Sequence, residues 1–408
     1  MRPPDAPPAP AHHGLPPRAR RAVGPHPPGA PAAPAAASLF SEPAHGVGTP
    51  RRRSARPAGA ALRVAMLAPP WIPVPPPGYG GIEEVVRLLC EGLVAAGHRV
   101  TLFAAPESRS AADVQPLLSS SHPDEIERSQ WESDHVGRAF DAVDRAELAG
   151  DPYDVVHDHT GFTALAMANR LRTPVLHTIH GPFEPSTGEF YAAHGHKAGL
   201  VAISRSQRGG APEELRAGIE VVPNPIAVDE WPFQPDAGAG VLWIGRMAEI
   251  KGPHRAIRAA RAAGVPISVA GPVQPGQAEF WTREVEPLLE QDGVRYVGEA
   301  GGEDKKALYC DARALLMPIR WSEPFGLVMV EAMVCGTPVI AFPEGAAPEI
   351  VIDGENGFLV EDEEAMVEAI GRLDEIDRER CRASVAERFD VPRVVERYAG
   401  LYARACAA

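Results

Sequence analysis

Between residues 62 and 342 the chain alternates short unbroken apolar runs with stretches whose apolar residues recur every three or four positions. An unbroken apolar run has no polar face to offer water, so it belongs in a strand buried on both sides. A 3.6-residue recurrence belongs on a helix with one buried face. Residues 62–68 form the first run. Ile82, Val85, Val86, Leu89 and Leu93 follow at helical spacing up to Gly97, and 100–104 is the next run, giving one β-α-β unit. The succession continues with strands at 154–157, 174–179 and 199–203 and a helix at 163–171. It breaks near Asn224 and passes a Pro-, Gly- and Asp-containing linker. It then resumes with strands at 241–244, 267–270, 294–297, 314–317 and 338–342 and helices at 253–263, 305–310 and 326–334. Such alternation predicts an α/β chain with two doubly wound parallel sheets, helices on both faces of each, and a ligand cleft where the carboxyl ends of the strands face one another. The expected domains are 61–226 and 227–385, with a terminal segment at 386–408. Residues 106–150 are charged and partly helical in pattern, without a detailed assignment.

A chain of 408 residues exceeds one ordinary core. The first sixty residues are of another composition: they hold 15 of the 44 prolines and eight arginines against Asp5 and Glu42. With no apolar periodicity and no apolar secretory stretch, 1–60 is expected to be a disordered tail. The whole chain carries a net charge of −14, so the remainder, without that basic tail, stands at about −20. Such a body repels nucleic acid and anionic lipid over its general surface. No apolar run approaches the roughly 20 residues of a membrane span. The five cysteines are scattered and form no C-x-x-C pair, which points to no disulfide framework, no zinc site and a cytoplasmic setting.

The segment from Trp321 to Pro338 is the richest in chemistry. Glu323 falls in the loop after a strand, Pro324 and Gly326 mark the turn around Phe325, and the helix that starts at Gly326 carries Leu327 in its first turn. Unpaired N–H groups at a helix start attract an anion. Glu331 lies about five residues into that helix, roughly 7–8 Å along it, so the two carboxylates can bind hydroxyls at the two ends of one extended ligand with its phosphates between them. Two glutamates eight positions apart are commonplace surface residues when met alone. Here Val328, Met329, Val330 and Ala332 bury the helix around Glu331, and a buried carboxylate without a partner is costly. A second group, Gly245, Arg246 and Lys251, follows the strand at 241–244; a planar fork and a point charge at a strand end suit a diphosphate.

Taken in this order, Gly245, Arg246 and Lys251 followed by Glu323, Pro324, Phe325, Gly326 and Glu331 resemble the retaining glycosyltransferases of family 4 with the GT-B fold, over roughly residues 62–405. The resemblance implies that Arg246 and Lys251 contact the donor pyrophosphate, Glu323 the donor sugar and Glu331 the ribose hydroxyls, with no metal and no cofactor beyond the donor substrate. The segment from Gly78 to Gly81 is similar to the family's glycine-rich loop, which assigns Gly80 and Gly81 to the donor. Its rival, a dinucleotide-binding turn, fails because Glu83 stands where the third glycine is needed. The run from Val156 to His159 resembles the strand-end histidine motif. His159 then points at the donor sugar, whereas His157 reads as strand packing. His180 and Asn224 are candidates for the acceptor side, and Gly271 and Gly298, at strand ends, for the nucleobase; each could equally be a core histidine or a turn residue. The terminal stretch, with Val385, Phe389, Val394, Val395, Tyr398 and Leu401 on its apolar side, implies a helix crossing back to the N-terminal domain.

The resulting expectation is transfer of a sugar, a hexose above all, from a nucleoside-diphosphate sugar with retention of configuration. No carboxylate nucleophile is evident on the N-terminal side, which favours departure and attack on one face. Asp124, Glu125, Glu127, Glu132 and Asp134 outweigh Arg128 and Arg138 in the stretch where membrane-acting relatives are basic, so a soluble small-molecule or saccharide acceptor is expected. Two alternatives remain at this stage: a nucleotide-sugar epimerase of the same fold, and a non-catalytic sugar-nucleotide-binding subunit.

Overall fold

The computed structural model describes residues 60–407 except Tyr79 and Glu127. The expected tail therefore lies, apart from Ala60, outside the described residues, as do Tyr79 of the glycine-rich loop and Glu127 of the acidic stretch. The first sheet has seven parallel strands: β1 (Arg63–Leu67), β2 (Arg99–Ala104), β3 (Asp113–Pro116), β4 (Val155–Asp158), β5 (Val175–Ile179), β6 (Gly199–Ala202) and β7 (Glu220–Val221). Their order is β3-β2-β1-β4-β5-β6-β7. The second sheet has six: β8 (Gly240–Ile244), β9 (Ile267–Ala270), β10 (Val294–Gly298), β11 (Ala312–Met317), β12 (Val339–Ala341) and β13 (Gly357–Leu359). They run in the order β10-β9-β8-β11-β12-β13, again all parallel. Each order reverses direction once, between β1 and β4 and between β8 and β11, which is where an open α/β sheet offers a crevice.

The apolar runs read from the sequence are the central strands, buried on both faces as parallel strands must be, except the run at 294–297, which is the partly exposed edge strand β10. Strands that carry no such run, β3, β7 and β13, lie at the edges. In β3, Asp113, Gln115 and Pro116 are solvent-facing or partly so, and a proline costs least on an edge. The region at 106–150 resolves into that edge strand and a 20-residue helix, Ser129–Leu148, whose His135, Val136, Ala139, Phe140 and Val143 are buried. The helix expected at 163–171 is shorter, Phe162–Met167, and tightens into a 3-10 turn at Ala168–Arg170.

The terminal segment is two helices, Arg378–Phe389 and Val391–Ala407. The turn falls at Asp390, whose carboxylate accepts from Val228 N–H at 3.2 Å and from Val391 N–H at 3.0 Å. The crossing helix thus begins at Val391, five residues after the expected start. The outgoing and returning passages are laced together: Ile226 N–H donates to Phe389 C=O (2.9 Å) and Val391 N–H to Ile226 C=O (3.1 Å). Val394, Val395, Tyr398, Leu401 and Tyr402 then join the core beneath the first sheet with the helix Gly81–Ala95. No helix among the described residues is long and apolar enough to cross a membrane.

Candidate active site

The loops that follow β1, β4, β8 and β11, the four strands flanking the two reversals, converge on one cavity of about 660 Å³ between the sheets. From the second sheet come Gly245, Arg246, Lys251, Glu323 and the turn from Pro324 through Val328. From the first come Gly80, Gly81, Glu83, Thr160, His180 and the apolar Trp71 and Ile72. Asn224, at the outgoing passage, also lines it and is buried.

On the second-sheet side the side chains hold one another. Lys251 Nζ pairs with the Glu323 carboxylate and lies 4.4 Å from the centre of the Trp321 ring. Trp321 Nε1–H donates to the same Glu323 oxygen at 3.0 Å, and Trp243 Nε1–H donates to the Lys251 carbonyl at 3.1 Å, fixing the loop. Burial pushes the Lys251 ammonium down, opposed by the Glu323 charge and reinforced by that of Arg246. Arg246 has no ion-pair partner among the described residues. Gly345 explains how Glu323 is seated. At φ 57° it occupies the left-handed region, and a Cβ there would stand 2.3 Å from Glu323 N and 2.4 Å from Glu323 O. Next to it, Ala346 N–H donates to Glu323 C=O at 2.9 Å. Only glycine lets the loop after β12 lie against that backbone.

The helix Leu327–Val334 starts at Gly326, and its first residues face the cavity, so the N–H groups of that turn, which have no acceptor within the helix, point at whatever the cavity holds. The helix Gly81–Ala95 starts opposite it: a Cβ on Gly81 would lie 3.4 Å from Leu327 Cδ1. Gly80 is required by close approach, because a Cβ there would come 2.5 Å from Pro76 Cβ and 3.1 Å from Glu83 Oε2.

Glu331 is placed differently. It is 9% exposed and does not line the cavity; Lys305 Nζ (2.6 Å) and Tyr309 Oη (2.8 Å) hold its two oxygens. The partner that a buried carboxylate requires is thus supplied by the neighbouring helix Gly302–Asp311. Burial, then the Glu331 charge, keeps the Tyr309 phenol far above its ordinary range. Gly271 and Gly298 sit behind the cavity wall. Gly271, at φ 136°, lets β9 end against Gly245, whose carbonyl would lie 1.8 Å from a Cβ, and its N–H donates to Gly298 C=O at 2.7 Å.

On the first-sheet side, β4 and β5 carry a chain of polar side chains. His157 is wholly buried and joins Tyr402 Oη (Nδ1, 2.7 Å) to Thr178 Oγ1 (Nε2, 2.8 Å), tying the terminal helix to the sheet. His159 contacts His180 (Nδ1 to Nε2, 2.9 Å). Burial first, then the neighbouring histidines, lowers His157 and His159 well below the ordinary imidazole value, and His180 is lowered to about 3 by burial and His177. These rings are neutral at pH 7. Asp158 Oδ2 meets His177 Nδ1 at 2.5 Å, and His177 Nε2 meets Tyr191 Oη at 3.0 Å. These groups border a side pocket of about 160 Å³ that shares Thr160, His180 and Gly181 with the main cavity; His159 lines the side pocket.

Several residues of this site are not singled out by the sequence, Trp321, Glu83 and Trp71 among them. Trp321 stood inside the segment that drew attention to Glu323, so proximity was its signal. Glu83 was noticed only as the residue that spoils a dinucleotide turn. Trp71 had no signal, being one aromatic in a proline-rich loop.

Two parallel-sheet domains meeting over a cation-bearing strand-end loop and a helix start define a GT-B glycosyltransferase. Residues 79–230 match the family model for glycosyltransferase family 4, and residues 238–375 that for glycosyl transferases group 1. A D-inositol 3-phosphate glycosyltransferase of Xylanimonas cellulosilytica is 30% identical over 383 residues, 80% of this chain and 91% of that protein. One of Mycolicibacterium smegmatis is 28% identical over 396 residues, 84% of this chain and 91% of that protein. Among solved structures, the glycosyltransferase AviGT4, involved in avilamycin A biosynthesis, is 25% identical with a TM-score of 0.62 and covers 85% of this chain and 98% of its own. The chain belongs to glycosyltransferase family 4 and is a glycosyltransferase.

Proposed function

We propose that the enzyme transfers a hexose from a nucleoside-diphosphate sugar to an acceptor with retention of anomeric configuration and without a metal ion. The observation that carries this is the clasp of Lys251 between Glu323 and Trp321, beside the unpartnered Arg246 and the start of the helix at Leu327. Two cations and a helix start together neutralise the charge that grows on a departing diphosphate, the task a metal performs elsewhere. Glu323 holds the donor sugar at the anomeric end. Glu331, held by Lys305 and Tyr309 outside the cavity lining, is assigned the ribose hydroxyls by the family resemblance. Gly245 and Gly326 bring backbone close to the phosphates, and Gly271 and Gly298 shape the base side.

His159, on the first-sheet side, is assigned to the donor sugar, and His180 and Asn224 to the acceptor; the two imidazoles are neutral and accept or donate a hydrogen bond without adding charge. Attack takes place on the face the diphosphate leaves, through an oxocarbenium-like state. The acceptor is a small molecule or saccharide met in the cytoplasm. Early-time proton NMR of the released or transferred sugar tests the chemistry. The expected product keeps the donor's anomeric configuration, and its rate is unchanged by millimolar EDTA. An inverted product overturns same-face attack, and turnover that stops in EDTA overturns metal-free departure.

A further inference from the structure

The two walls of the cavity differ in charge. The cationic side chains lining it, Arg246 and Lys251, both come from the second sheet, and Lys251 is already paired with Glu323. The first-sheet wall carries Trp71, Ile72 and Ile126, with the carboxyl of Glu83 and the neutral His180 as its titratable groups. Ile126 is 50% exposed at this wall. The apolar character continues into the side pocket, where Phe162, 46% exposed, packs edge-on against Phe190. Glu83 is only 5% exposed, has no ion-pair partner among the described residues and borders the cavity from the first turn of its helix. Burial raises its carboxyl to about 7.

A donor diphosphate uses the charge of Arg246 and Lys251. The opposite wall has no cationic side chain for a second phosphate; its helix start at Gly80 and Gly81 is assigned to the donor by the glycine-rich-loop resemblance, and Glu83 in that same first turn repels a further anion. A buried carboxyl facing a cavity is satisfied by a hydroxyl, and an apolar wall by an apolar body. We infer that the first-sheet wall takes an uncharged acceptor with an apolar face, that Glu83 hydrogen-bonds one of its hydroxyls, and that phosphorylated acceptors are excluded. The acceptor class therefore differs from the one in the names of the two D-inositol 3-phosphate glycosyltransferases that the chain resembles. The inference rests on the donor reading above. In the transfer, the bond from the anomeric carbon to the leaving phosphate oxygen breaks and one to the acceptor oxygen forms. The acceptor proton goes to the departing diphosphate, and Glu83 is unchanged.

Titration calorimetry on the full chain with uridine diphosphate or guanosine diphosphate, followed by acceptor probes, tests this. The probes are phenyl β-D-glucopyranoside, which is neutral with an apolar face, and D-inositol 3-phosphate. The expected result is that the phenyl glucoside binds at least tenfold more tightly than the phosphate. Glu83→Ala weakens the glucoside at least tenfold and leaves nucleoside-diphosphate affinity unchanged. Equal or tighter binding of the inositol phosphate overturns the inference. So does a glucoside that fails to bind, or one indifferent to Glu83→Ala in a variant whose nucleotide affinity shows it folded. Failure to bind any nucleoside diphosphate is a separate result and counts against the donor reading alone.

Discussion

Glu83 shows what a functional position costs a single residue. Its carboxyl titrates near 7 in the folded chain and near 4.5 when unfolded, so between those values the folded state binds more protons. Stability is complete below pH 4.5 and falls as pH rises through 7, by about 3 kcal/mol at 1.36 kcal/mol per pH unit. Glu83→Gln removes the titration. It is therefore expected to be more stable than the parent at pH 8, by up to that amount, and close to it at pH 5; urea unfolding at the two pH values measures the difference. Equal stability at pH 8 would mean that Glu83 is solvated. At this scale the sequence displayed half the site. Glu323, Gly326, Arg246 and Lys251 lie within two strand-loop-helix units, where spacing carries information. Glu83, Trp71 and Ile126 reach the cavity from separate segments, and no spacing relates them. The partners of Glu331, Lys305 and Tyr309, stand 26 and 22 residues away on another helix, so the sequence could say that a partner was needed and not which.

Among the elements, the central strands were legible because burial on both faces leaves a continuous apolar run, whereas β3, β7 and β13 were not because an edge needs none. One link between elements spans the two sheets. Glu349 Oε1 and Oε2 accept from Ser206 N–H (2.6 Å) and Arg205 N–H (2.8 Å), capping the helix Arg205–Gly209 from across the chain. Gln207 of that helix donates to the carbonyls of Ile179 (2.9 Å) and Gly181 (2.8 Å), which flank His180, and Ala346, three residues before Glu349, bonds Glu323. Hydrogen bonds and short chain segments thus join the main chain of Glu323 to the main chain on either side of His180. Glu349→Ala is expected to cost about 1–2 kcal/mol in chemical unfolding and to raise the KM for both substrates, since each wall loses its hold on the other. Glu349→Gln keeps an acceptor and recovers part of both. A change confined to stability would leave the path without a role in the site.

The molecule as a whole places its chemistry where its topology reverses. Each sheet offers a crevice at its own switch point, the passages at Ile226 and at Phe389–Val391 hold the two sheets in one frame, and the cavity forms between them. The second-sheet wall carries the cavity's cations and the first-sheet wall is mostly apolar, which on the proposed reading suits a diphosphate on one side and the acceptor on the other. On this reading Lys251 and its neighbours bind that diphosphate. The most direct test is the thermal shift of the parent chain and of Lys251→Ala across a panel of nucleoside diphosphates and their sugars, because a ligand that binds only the folded state raises its melting temperature. The expected result is a saturable rise in the parent with at least one nucleoside diphosphate, and its loss, with transfer activity reduced at least a hundredfold, in a Lys251→Ala protein that still melts cooperatively. A variant that binds and turns over like the parent would contradict it.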